Sequence, residues 1–155
     1  MSFKTLSYKF FDTDDKDYGL LILRVTLGIV MFAHGGQKLF GLFGGNGFEG
    51  TMGFFTGVMG MPYIIALLVV LGESLGALAM IVGFKTRFMA FGILVIMIGA
   101  AFMAHLQYGF YIDWFGNQEG NGIEYHILAG AMALVLMLRG GGTFALDSVM
   151  KKWFK

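Results

Sequence analysis

The chain has 155 residues, a net charge of +1, 57% hydrophobic and only 14% charged residues, and a mean hydropathy of +0.72. Soluble domains carry about 25% charged residues, so this balance excludes an ordinary water-soluble domain; with no basic stripe away from apolar segments, it also excludes an electrostatic nucleic-acid binder. The absence of cysteine rules out disulfides, Cys-ligated metal centres and thiol–disulfide chemistry within the chain.

The opening "MSFKTLSYKFFDTDDKDYG" is too charged and aromatic for a cleaved signal peptide. Its Phe3, Leu6 and Phe10 instead predict an amphipathic anchor. Four stretches then approach the roughly 20 apolar residues needed to cross a bilayer. They are placed at 19–42, 62–84, 87–109 and 123–140. A single Pro and 12 Met fit long continuous helices. The 1–2 connection, rich in Gly and Phe, suits a re-entrant or interface-lying cover. The 3–4 connection, with Tyr108, Tyr111, Trp114 and Phe115, reads as an aromatic belt. After the "GGG" break at 140–142, "TFALDSVMKKWFK" sets Leu146, Met150 and Trp153 on one face, predicting a C-terminal interfacial helix. The fold expected is all-α: one membrane domain over residues 1–155, a four-transmembrane-helix bundle.

The connections fix its orientation. Lys4, Lys9, Lys16, Lys85, Arg87, Lys151, Lys152 and Lys155 occupy the two terminal segments and the 2–3 turn, whereas the other two connections hold no Lys or Arg. The positive-inside rule therefore predicts cytoplasmic N- and C-termini.

Ionisable groups within spans are costly and face the bundle interior. At about 1.5 Å per residue, Arg24 lies roughly 8–10 Å, and Glu73 roughly 16 Å, from the cytoplasmic ends of their helices. A long Arg side chain spans that difference, which predicts an Arg24–Glu73 pair. Two readings of it stand: a structural ion pair that fixes helix register, or a proton relay in which Glu73 and Arg24 are catalytic. Gly72 and Gly76 flank Glu73 at a spacing that permits close helix approach.

"FAHGGQKLFG" places His34 and Lys38 four residues apart on one helix face, in line with a stripe of Arg24, Gly28, Met31 and Gly35. His105, Gln107, Glu124 and His126 fall at the same outer depth. Three readings compete for this cluster. Lys and His can simply snorkel to headgroups. A quinone site needs hydrogen-bond donors for its carbonyls and a proton route, which His34, Lys38, His105, Glu124 and His126 supply. Three imidazoles and a carboxylate also suit copper, zinc or iron, although no two histidines have ligand spacing on one helix, so no metal ligand is assigned. There is no dinucleotide fingerprint, no haem-attachment motif and no inverted repeat of the kind transporters carry.

"LRVTLGIVMFAHGGQKLFG", "GESLGALAMIVGFKTR", "NGIEYHIL" and "GGGTFALD", in that order from about residue 20 to 147, together resemble the DoxX family of bacterial membrane proteins. The matching positions are Arg24, Gly28, His34, Gly35, Lys38, Gly41, Glu73, Ser74, Gly83, Arg87, Glu124 and Asp147. The resemblance implies a multi-pass four-helix protein of the bacterial inner (plasma) membrane. It also implies a link to quinones, because the family is named for a subunit of a thiosulfate:quinone oxidoreductase. The lack of Cys sets the chain apart from four-helix relatives that move thiol electrons. The expectation is thus a subunit of a quinone-linked oxidoreductase system that binds quinone or quinol near the outer leaflet, with the bilayer and a protein partner or second copy around it. The alternative is a non-catalytic scaffold that docks a partner through the aromatic loop, or a metal-handling accessory protein.

Overall fold

The computed structural model describes residues 10–153. The predicted N-terminal anchor, built on Phe3 and Leu6, lies outside them. Every regular element among the described residues is helical.

Helix α1 (Tyr18–Phe40) begins where the Asp17 carboxylate accepts the Leu20 N–H at 3.0 Å, satisfying one orphan donor of the first turn. It ends at Gly41, whose φ of +70° lets the chain leave in a left-handed turn. Its buried stripe is Leu20, Arg24, Leu27, Gly28, Met31 and Gly35, a helical repeat with a charge at one end. The connection after it is itself helical: α2 (Gly47–Gly53), extended by a wider turn to Val58, lays Met52 against Ala66 and Val70 of the next helix.

Helix α3 (Tyr63–Val82) follows Pro62, which is tolerated there because the first turn has no internal partner for an N–H. Midway, Gly72–Gly76 form a π-type turn that carries Glu73 and Ser74 into the interior; such turns recur at functional sites. The Ser74 hydroxyl donates to the Val70 carbonyl at 2.6 Å. Helix α4 (Thr86–Tyr108) returns antiparallel, α5 (Glu124–Arg139) follows the aromatic connection, and α6 (Leu146–Lys152) closes the described chain.

The long helices pack in the order α1–α3–α4–α5, with α5 back against α1. Their common core contains Leu27, Met31, Met80, Ile93, Met97, Ala133 and Leu136. The tightest crossing is between α1 and α3. A Cβ at Gly35 would fall 2.2 Å from the Glu73 carbonyl oxygen, so backbone meets backbone at the level of that carboxylate. The glycines expected to serve this purpose, Gly72 and Gly76, instead face Ile96 and Met89 of α4.

Outside the core, Ile22, Ile29, Leu68, Val95, Phe102 and Leu128 are each more than half exposed. An apolar girdle of this extent requires lipid as its solvent. Helices α1, α3 and α4 are long and apolar enough to cross a membrane. With 16 residues, α5 is shorter, about 24 Å by its rise.

Candidate functional site

Between α3 and α4, along α4 from Phe88 to His105, lies a cavity of ≈ 990 Å³. Most of its wall is apolar, and Leu68, Leu75, Phe91, Val95 and Met103 line it while remaining at least half exposed. The mouth is therefore lateral, toward the hydrocarbon side rather than along the bundle axis. The polar residues lining it include Lys38, His34, Glu73, Tyr125, His126 and His105.

Glu73, only 5% exposed, holds the Lys38 ammonium through a hydrogen-bonded ion pair. Lys38 reaches it because Gly35, one turn earlier, lets α1 approach the wide turn of α3. His34 is on the same face, one turn from Lys38. Its ring lies 5.6 Å from that of Tyr125, centre to centre. Tyr125 and His126 follow at 5.4 Å, and His126 and His105 at 4.2 Å. The Tyr125 hydroxyl donates to the Met31 sulfur at 3.4 Å. His105 Nδ1 is 2.8 Å from the Asn121 carbonyl; a carbonyl only accepts, so this hydrogen bond places a proton on Nδ1. Four side chains in file thus join the Lys38–Glu73 pair to the 109–123 connection. Tyr125 escaped the sequence reading, although its place beside His126 in "IEYHIL" was the available signal.

Two expectations need correction. Arg24 does not meet Glu73. Its Nε donates to the Gly141 carbonyl at 2.8 Å and its Nη2 to that of Thr143 at 3.1 Å, while Nη1 serves the Met80 and Ile81 carbonyls. The reason is register: a Cβ on Gly83 would touch Arg24 Nη1 at 3.0 Å, which puts Arg24 level with the last turn of α3, ten residues and about 15 Å below Glu73. There the guanidinium finds the carbonyls of a helix C-terminus, of which that of Met80 also accepts the Gly83 N–H. Glu124 likewise does not line the cavity; its Oε2 accepts the Ile112 N–H at 3.1 Å and ties down the aromatic connection.

Around Arg24 the other end of the bundle is knotted. Asp147, 2% exposed, accepts the Lys85 and Thr86 N–H groups at 2.6 and 2.8 Å, and so caps α4 from sixty residues away. Burial pushes its carboxyl pKa up, opposed by these hydrogen bonds and by the Arg24 charge. Arg87 donates to the Asp12, Met137 and Leu138 carbonyls. The Gly142 N–H donates to the Thr13 hydroxyl at 2.7 Å. In the opposite connection, Asp113 accepts the Asn117 and Gln118 N–H groups at 2.9 Å, and the Gln118 bond leads in lowering its carboxyl pKa. Among the described residues, no three His, Cys, Asp or Glu side chains come together as a metal site.

Fold and site together define an all-helical membrane protein with a polar-ended chamber open to lipid. The family model described as DoxX matches residues 19–106, from the start of α1 almost to the end of α4. The chain belongs to the DoxX family. It is 32% identical over 136 residues to "Putative oxidoreductase CatD" of Bacillus subtilis (strain 168), covering 88% of this chain and 90% of that protein. Two Escherichia coli (strain K12) proteins are each 28% identical to it. Inner membrane protein YqjF aligns over 142 residues, 89% of this chain and 97% of its own length. Inner membrane protein YphA aligns over 129 residues, 83% and 87% respectively. No solved structure matches the chain.

Proposed function

We propose that the chamber binds the ring of a quinone or quinol, and that the protein is the membrane subunit of an oxidoreductase system in the bacterial inner membrane. One observation carries this reading: an ammonium–carboxylate pair, three imidazoles and a phenol line a single apolar cavity whose mouth opens sideways to lipid. That donor set fits a ring with two opposed oxygens, and the cavity volume lies at the upper end of small-molecule pockets. A bound quinone supplies a carrier of two electrons and two protons.

The chain's own residues hold and orient it. Lys38 Nζ remains on Glu73 while offering its other hydrogens to one ring oxygen, with His34 beside it. His126 and His105 serve the far end, and Tyr125 separates the two groups. The Glu73 carboxylate, shielded from water, is the base placed to accept a ring proton, and the imidazole file leads from it toward the aromatic connection. Arg24 and Glu124 act outside the chamber, on helix ends and loop. The names "Putative oxidoreductase CatD", "Inner membrane protein YqjF" and "Inner membrane protein YphA" support this reading.

The test is binding of short-chain ubiquinone and menaquinone to protein purified in mild detergent. Wild type should saturate with one or both, and His34→Ala should weaken the affinity about tenfold, the worth of one strong hydrogen bond. Absence of saturable binding in wild type sinks the reading.

The exposed Trp114 and Phe115, 77% and 86% accessible, favour a second reading in which this connection docks a partner protein. In that case Trp114→Ala with Phe115→Ala releases the partner, and the histidine changes are without effect.

The same proposal takes α5 as a fourth span, with both termini cytoplasmic, which the basic-free connections support. Since the chain has no cysteine, single replacements report orientation directly. A membrane-impermeant maleimide should label Asn117→Cys in intact cells and leave Lys152→Cys unlabelled until the membrane is opened. Equal labelling of both before opening would mean three spans.

A further inference from the structure

A second cavity of ≈ 350 Å³ lies on the other side of α4, between it and α5. Its walls are Leu94, Ile98, Phe102, Ile127 and Leu134, with Gly130 as a side-chain-free position among them. Ile98, Phe102, Ile127 and Leu134 are exposed, so the groove also opens sideways to the hydrocarbon. It shares only Met97 and His126 with the chamber, and these two side chains form the partition.

His126 is the polar residue in this apolar groove. It is 8% exposed, and its Nδ1 is buried with no hydrogen-bond partner. A buried polar atom left unpaired costs about 1–3 kcal/mol, a penalty that a ligand oxygen would relieve. Its position along the groove is also informative. His126 is in the first turn of α5, at the end of the helix, while Leu134 is two turns deeper, about 12 Å along the axis. A phospholipid has this same polarity: an ester carbonyl near the interface and an acyl chain running inward from it.

We propose that the α4–α5 groove is a lipid site distinct from the chamber, which holds one acyl chain of a bilayer phospholipid, the His126 imidazole turning to bring its Nδ1–H, buried in this structure, to the lipid's ester carbonyl. Gly130 and Ala131 leave room for the chain, and Phe102 and Leu134 flank it. Because the imidazole stands in the wall of both cavities, the bound lipid fixes the tautomer and ring orientation that the chamber sees. The site does not depend on what the chamber binds.

The test is photo-crosslinking of the whole protein in nanodiscs made with a phosphatidylethanolamine that carries a diazirine on its acyl chain, with labelled peptides located by mass spectrometry. Wild type should concentrate label on the groove faces of α4 and α5. Ala131→Phe, at an exposed position that fills the groove without entering the core, should remove that excess. His126→Leu should lower it roughly fivefold, the value of one net hydrogen bond. Even labelling around the whole perimeter, or an excess indifferent to Ala131→Phe, would overturn the site. An excess lost with Ala131→Phe but unchanged in His126→Leu would overturn the hydrogen bond.

Discussion

Glu73→Ala is expected to destabilise the protein by about 3–5 kcal/mol, because it strands the Lys38 ammonium in a low-dielectric interior after the partner has gone. The carboxylate is almost wholly buried and the ammonium three-quarters buried, so solvent screens the pair poorly. Lys38→Met should cost a comparable amount, since it leaves the carboxylate uncompensated. The double variant Lys38→Met with Glu73→Leu should recover most of the loss, as buried ion pairs replaced by apolar groups of similar volume commonly do. Thermal unfolding in detergent measures all three. The double variant also separates two roles for the Lys38–Glu73 pair: a fold restored with quinone binding abolished assigns the charges to the ligand, whereas a fold not restored assigns them to helix register.

Arg24→Ala should be at least as damaging, by upward of about 3 kcal/mol, and at the opposite end of the bundle. The carbonyls of Ile81, Gly141 and Thr143 lose their side-chain donor together, while that of Met80 keeps the Gly83 N–H, and a buried acceptor without a partner costs about 1–3 kcal/mol. The loss would spread to Asp147, whose charge faces the guanidinium and whose oxygens cap α4. Arg24→Lys should rescue less than half, because an ammonium cannot reproduce the planar fork that reaches both the α3 terminus and the 140–143 turn. Hydrogen exchange at residues 140–147, beside the unfolding temperature, reads the effect where it begins. A Lys variant as stable as wild type would mean that charge alone, and not the fork, joins these segments.

The two predictions concern residues that the sequence placed together and the structure separates, and the cause is instructive. Depth was counted from the ends of each apolar stretch, a scale that slips by several residues per helix. Across antiparallel helices the slips add. That count puts Arg24 and Glu73 within one side chain's reach, whereas the glycine contacts of Gly28, Gly35 and Gly83 set Lys38 beside Glu73 and Arg24 beside the α3 terminus. Asp147 shows the same limit: it caps a helix that begins sixty residues earlier, and no local signal announces that. Glu124, adjacent to His126 in sequence, turns away to the Ile112 N–H because a first-turn carboxylate is well placed to accept free backbone donors.

What depends on composition and period was legible from the chain alone. The apolar runs set the long helices to within about two residues, the 3.6-residue repeat of Arg24, Gly28, Met31 and Gly35 gave the buried stripe of α1, and three histidines at one depth gave the level of the chamber. These follow from one helix at a time, where rise and periodicity are fixed by the backbone. Which charges pair, which glycines let helices touch, and that His126 divides two cavities were decided only by tertiary structure. Each of these depends on the rotation and offset of one helix against another, and those are set by side-chain packing at contacts far apart in the sequence.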